Sequence, residues 1–212
     1  MKRCLYIFFH FIFFSSIIFA QEESSTKTTE ISVAGGISYP SLPREFKDYW
    51  KKGINVSGGI GYSSQPGSLG YSALSLDLTY NNFSFDENGF RNSLDTSKRS
   101  VTLSGEATKI FTAMLMYRGT FSTTKQSVAP YFLLGVGYFY LSSGSVNVPS
   151  DTALGIGGGS QSSIAWALGA GAEAPINDTY SIFLEGKFVL GATGDAVGRQ
   201  YYPVSIGVRI KP

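Results

Sequence analysis

Beyond residue 10 the chain has neither cysteine nor histidine: its single Cys is Cys4 and its single His is His10. Charge is also scarce, at 15% of residues against about 25% in ordinary soluble proteins. After the first twenty residues no apolar run approaches the roughly 20 residues that a membrane-spanning helix needs. Each absence excludes something. Without a second cysteine no disulfide framework forms, even in an oxidising compartment. Without histidine the commonest general base is missing, and no cofactor or metal-ligand set is legible. A basic excess that would draw nucleic acid is absent too.

The first twenty residues read as an export signal. Lys2 and Arg3 form a positive start, Leu5 to Phe19 an apolar core, and Ala20 a small residue ahead of polar Gln21-Glu22-Glu23. Removal after Ala20 takes Lys2 and Arg3 with it, so the basic count falls from 17 to 15 against 15 acidic residues. The mature chain is then close to neutral. The expected division is a signal peptide over 1–20, an N-terminal tail over 21–29 and one barrel domain over 30–212.

What remains is rich in Phe (16), Tyr (13) and Gly (25), and it alternates. In 54–63 one face reads Ile54, Val56, Gly58, Ile60, Tyr62 and the other Asn55, Ser57, Gly59, Gly61, Ser63. Period two means β-strand. The small polar face suits a crowded, wet interior, and the large apolar face suits lipid. Eight such segments are expected over 30–39, 52–63, 71–83, 102–118, 128–140, 163–174, 180–190 and 202–211. Their lengths of about ten residues match tilted strands crossing a bilayer. The connections alternate long and short, as in barrels with short periplasmic turns and longer outer loops. The predicted fold is an all-β, eight-stranded, antiparallel up-and-down transmembrane β-barrel, because closure is how strands satisfy their backbone in a bilayer.

Pro130-Tyr131-Phe132-Leu133-Leu134-Gly135-Val136-Gly137-Tyr138 resembles the fifth strand of the small outer-membrane barrels of the OmpA/OmpX-like group. Leu168 to Ile176 followed by Phe183-Leu184-Glu185-Gly186-Lys187-Phe188 is similar to its next hairpin, and Pro203 to Arg209 to its closing strand. The resemblance implies residence in a Gram-negative outer membrane, contact with outer-membrane lipid and lipopolysaccharide, and handling by the outer-membrane assembly machinery. The chain departs from the group at Ile210-Lys211-Pro212, where an aromatic residue usually stands.

Parity places six charges inside: Asp77, Arg118, Glu173, Glu185, Lys187 and Arg209, three of each sign. Since eight strands leave an interior just filled by side chains, balanced signs point to an ion-pair network, with an ion-conducting path as the alternative. Enzymatic barrels of this kind rely on histidine, so no enzyme is expected here. Gly155 to Ser160 lacks the Lys-Ser/Thr and helix of a phosphate loop and reads as a loop tip. Asp86-Glu87-Asn88 offers weak Ca²⁺ ligands but suits a solvated loop better. The sequons at Asn55, Asn82 and Asn177 read as chance.

Tyrosines 39, 62, 80, 117, 138, 140, 180 and 202 fall near expected strand ends, where aromatic girdles meet lipid headgroups. In the first long loop, Arg44, Phe46, Tyr49, Trp50, Lys51 and Lys52 mix aromatic and basic side chains. They form a candidate surface for lipopolysaccharide, an extracellular ligand or a protein, or an interfacial anchor. The function expected is structural or adhesion-like, acting through the loops, with no nucleic-acid partner. A soluble lipocalin-like barrel binding an apolar ligand is the inverted alternative.

Overall fold

Residues whose side chains alternate between large apolar and small polar form eight long strands in the computed structural model, which describes residues 28–64, 70–94, 102–121, 128–149, 155–193 and 198–212. The expected signal segment lies outside these residues. The long strands are β1 (Thr28–Leu42), β2 (Gly53–Ser63), β3 (Tyr71–Phe83), β5 (Thr108–Thr120), β6 (Ala129–Ser143), β8 (Gly159–Pro175), β9 (Tyr180–Gly191) and β10 (Arg199–Ile210). Two short strands, β4 (Ser104–Gly105) and β7 (Val146–Asn147), and two short helices, α1 (Arg44–Tyr49) and α2 (Glu87–Ser93), lie in the connections.

The long strands pair antiparallel in chain order, and β1 closes the ring on β10. Register is fixed on both sides of the seam, with Ile31 opposite Ile210 and Ile60, and Val33 opposite Val208 and Gly58. A slip of one residue would exchange the two faces. Close approach demands glycine at Gly36, where a Cβ would collide with the Val204 carbonyl of β10.

The outer face is apolar. Ile54 is 64% exposed, Val33 58%, Leu168 57% and Ile206 61%. In water such a continuous belt would be an aggregation hazard; in hydrocarbon it is the surface a spanning barrel needs. Aromatics bound the belt at both ends. On the long-loop side Tyr80, Phe111 and Tyr140 are cross-strand neighbours, and Tyr39 faces Tyr202. On the short-turn side Tyr117 and Phe121 both pack on Phe132, at 5.8 and 5.7 Å between centroids.

The interior is less wet than the small polar faces of the strands suggest. Its short-turn half sets the buried charges among Tyr131, Leu133 and Phe183, and its long-loop half is an aromatic and aliphatic core. Phe46 and Trp50, carried in by the first loop, meet Phe83, Ile110, Phe139, Leu141 and Tyr201, all buried. Phe46 and Phe83 make an edge contact with centroids 5.0 Å apart. Above them a second cluster of Phe90, Leu103, Val146 and Val148 forms a folded cap, with Tyr49 between the two.

Boundaries moved where loops proved structured. The fourth expected strand, 102–118, is split: Ser104–Gly105 pairs with β7, and the barrel strand begins only at Thr108. Glu106 diverts the chain, since its N–H donates to Ser145 O (2.8 Å) and its carbonyl accepts from Trp50 Nε1 (3.3 Å). Gly159 and Ser160, expected in a loop tip, begin β8, and Thr28 and Thr29 extend β1 into the expected tail.

Phe83→Ala should expose the weakness of a plugged barrel: truncating this fully buried ring is expected to cost about 3–5 kcal/mol. The check is the urea midpoint of the purified barrel in lipid vesicles, which should fall clearly below that of the wild type.

Candidate functional site

Charged side chains on inward positions of six strands gather between the short-turn end and the middle of the barrel. Besides the six expected residues, Glu30 at the start of β1 and Lys211 just past β10 join them. Among the described residues this makes four carboxylates (Glu30, Asp77, Glu173, Glu185) and four cations (Arg118, Lys187, Arg209, Lys211). Glu30 has the parity of Ser32 and Ala34, and Lys211 that of Arg209, so strand parity extended by one residue would have found both.

Glu173 is the hub. Its Oε2 accepts from Arg118 Nη1 (2.5 Å) and from Arg209 Nη1, and its Oε1 accepts from Ser181 Oγ (2.6 Å) and Lys211 Nζ (2.7 Å). Arg118 also donates through Nη2 to Glu30 Oε2 (2.6 Å), and Arg209 Nε lies 3.8 Å from Glu30 Oε1. The Glu30, Arg118, Glu173 and Arg209 side chains are almost fully buried. A buried charge this far from water is tolerable only when paired and hydrogen-bonded, and four donors on one carboxylate meet that demand.

A second pair stands deeper. Lys187 and Glu185 are two apart on β9, so they share its inner face, and Lys187 Nζ lies 2.8 Å from Glu185 Oε1. Tyr131 links the clusters: its hydroxyl donates to Glu185 Oε2 (3.1 Å), while the Arg118 and Arg209 guanidinium groups lie 5.7 and 5.8 Å from its ring centroid. Among the described residues no cation stands within ion-pair distance of Asp77; it accepts from Ser75 Oγ (2.7 Å). Both Asp77 and Lys187 line a mid-barrel cavity of about 10 Å³ with Thr79, Thr112, Met114 and Tyr201. That volume is about what one water requires. A ladder of neutral polar groups follows, from Ser205 through Asn55 and Ser38 to Asn81. The aromatic core closes the far end.

Among the described residues the arrangement fills the barrel with side chains and leaves no wide aqueous lumen.

At the long-loop end the expected contact surface is corrected. Phe46 is 1% and Trp50 5% exposed, because α1 folds inward and drives both rings into the mouth. Phe46 is thus withdrawn from any external partner, and Trp50 reaches the surface only as part of a groove wall beside Lys51 and Lys52. Tyr49 packs edge-on against Phe90 at 5.0 Å. Arg44 remains in solvent, paired with Asp48 at 3.0 Å, Lys51 and Lys52 are exposed, and the Lys52 ammonium lies 4.9 Å from the Tyr39 ring centroid. Asp86 caps α2 by accepting from Gly89 N–H, and Glu87 pairs with Arg91. Those carboxylates are occupied by the helix they start. Asn55 is buried inside the barrel. In the cap, Ser145 donates to Glu106 from its hydroxyl (2.9 Å) and its N–H (3.3 Å), which holds that exposed carboxyl below the usual range.

No protein-family profile and no curated protein matches the chain in sequence. Solved structures do match in fold. Neisserial surface protein A aligns over 90% of this chain and 100% of its own, with a TM-score of 0.52 and 14% identity. A major outer membrane protein from Thermus thermophilus aligns over 87% of this chain and 99% of its own, with a TM-score of 0.53 and 14% identity. At that identity the likeness is one of fold, and the fold is that of eight-stranded outer-membrane β-barrels.

Glu173→Gln should leave Arg118 and Arg209 to share Glu30 and deprive Lys211 of its carboxylate, and a cost of about 3–5 kcal/mol is expected for breaking buried pairs. Glu185→Gln, which leaves only Lys187 without its carboxylate, should cost less. Urea unfolding of both variants in vesicles checks the order. Wild-type stability in both would rule out a bracing role for the network.

Proposed function

We propose that the chain is an integral outer-membrane protein with a non-enzymatic role, bracing the membrane and presenting its folded cap outside the cell. The observation that carries this reading is the pairing of an apolar outer belt with a filled interior. The belt makes the barrel a membrane span, and the filling makes it a pedestal instead of a channel.

Export through a cleaved signal over 1–20 and insertion by the outer-membrane assembly machinery complete the reading. The short turns, the start of β1 and the end of β10 then lie in the periplasm, and α1, α2, β4 and β7 lie outside. Lys52 sits at girdle height, where anionic lipid or lipopolysaccharide headgroups meet the protein, and Lys47 and Lys51 line the same open groove. Without histidine beyond position 10, and with most of the interior carboxylates paired to cations, acyl-transfer or hydrolytic chemistry has no evident machinery. The apolar exterior opposes the lipocalin-like alternative, whose Leu/Ile/Val face would have to line a cavity. The blocked interior opposes an ion path.

Fractionation of expressing cells should return the protein in the outer membrane, with unboiled and boiled samples differing in gel mobility as folded barrels do. The same preparation should give no conductance steps in planar bilayers. Recovery as a soluble periplasmic protein without a mobility shift would overturn the membrane assignment, and steady channel openings would overturn the pedestal.

A further inference from the structure

Two barrel strands outrun their neighbours. The β6–β8 ladder continues upward through Leu141–Gln161 and Ser142–Ser160 to Ser143–Gly159, whereas the last β8–β9 pair is Ala165–Gly191. Above that level the β9-facing side of β8 is an edge. Its polarity follows from one bond: Ala192 N–H donates to Ile164 C=O (2.9 Å). Backbone groups alternate sides along a strand, so Ser162 and Ser160 also turn their N–H and C=O groups toward that side. Among the described residues no backbone partner takes them up, and Gly159 to Ser162 are all exposed.

Natural edge strands are usually guarded by lysine, proline, a bulge or a covering segment. Gly159-Ser160-Gln161-Ser162-Ser163 carries neither charge nor proline. It is also symmetric about Gln161 in the two residues that face the edge. Antiparallel pairing with an identical strand sets Ser160 against Ser162 of the second copy and Ser162 against its Ser160. Both are the kind of pair that exchanges two backbone hydrogen bonds, and the small side chains bring no clash.

We infer that the free edge of β8 pairs with the same edge of a second copy of this chain standing in a facing membrane. The membrane arrangement follows from the symmetry. The two-fold axis relating such strands is perpendicular to the sheet, so it reverses every direction within it, the barrel axis included. Copies so paired point at each other from opposed membranes and are not side by side in one. The contact is isologous and closes as a pair. Five residues rise about 16 Å, so it forms only between closely apposed surfaces.

This inference rests on the membrane-span reading, and the test separates the two. Purified protein is reconstituted into vesicles free of lipopolysaccharide, its heat-modifiable mobility confirming an inserted barrel, and clustering is followed by light scattering. Wild-type vesicles should cluster. The S160K/S162K variant, which opposes like charges across each pair, should cluster roughly tenfold less or worse, as should S160E/S162E, both keeping their mobility shift. Mixing lysine-variant with glutamate-variant vesicles should restore clustering. Wild-type vesicles that stay dispersed, lysine-variant vesicles that cluster as before, or a mixture that fails to recover would overturn the proposal. A dispersed wild type would leave the edge to an extended segment of a different protein. A protein that never acquires heat-modifiable mobility would instead count against the membrane reading.

Discussion

Everything in this molecule follows from one requirement: inside hydrocarbon no backbone N–H or C=O is left unpaired. Strands meet that requirement only by closing into a ring, and the β1–β10 seam does so through a register running from Ile31–Ile210 to the strand tops. Closure decides the side chains. Outward positions contact lipid, so Val33, Ile54 and Ile206 are exposed without penalty. Inward positions must then fill a fixed cross-section, which is why Gly36 and Met114 can occupy one lining.

How that cross-section is filled differs at the two ends, and loop length explains the difference. The long loops can fold back, so α1 supplies Phe46 and Trp50 from outside the strands to seal the mouth. The turn over 176–179 is too short to do this. The short-turn end is closed instead by strand side chains long enough to cross the lumen, namely Arg118 and Arg209. Their charge then requires carboxylates opposite, and Glu173 and Glu30 supply them. Tyr131 lies where guanidinium groups, the Glu185 carboxylate and the apolar core meet, offering its ring to the cations and the core and its hydroxyl to the carboxylate.

The eight strands and the inside-outside assignment were legible in the sequence because period two is a local signal. Asp77, Arg118, Glu173, Glu185, Lys187 and Arg209 were placed inside on parity alone. Glu30 and Lys211 lay at the limits of the alternating runs, where parity was not extended. Which charges would pair was not legible, because Arg118 and Glu30 are 88 residues apart and meet only through closure. The loop aromatics misled for a different reason. Nothing in the spacing of Phe46, Tyr49 and Trp50 says whether a six-residue helix turns its rings outward or into the barrel. That choice depends on the empty mouth bounded by Phe83, Phe139 and Tyr201, a tertiary fact. Two-residue strands such as β4 and β7 are too short to alternate.

Ring closure also determines where chemistry with partners can occur. A barrel has no free edges along its membrane-spanning length, and its interior here is already taken by side chains. Unmet backbone polarity can therefore appear only above the belt, where strands of unequal length part company. On the β3–β5 side that polarity is consumed within the cap, through the Trp50–Phe85 bridge, the β4–β7 pair and the Glu106–Ser145 bonds. On the β8–β9 side the ribbon stops in serine and glycine with no guarding charge. The cap thus closes its own backbone polarity, whereas among the described residues the β8 tip leaves its edge unpaired, and both stand on the same filled barrel.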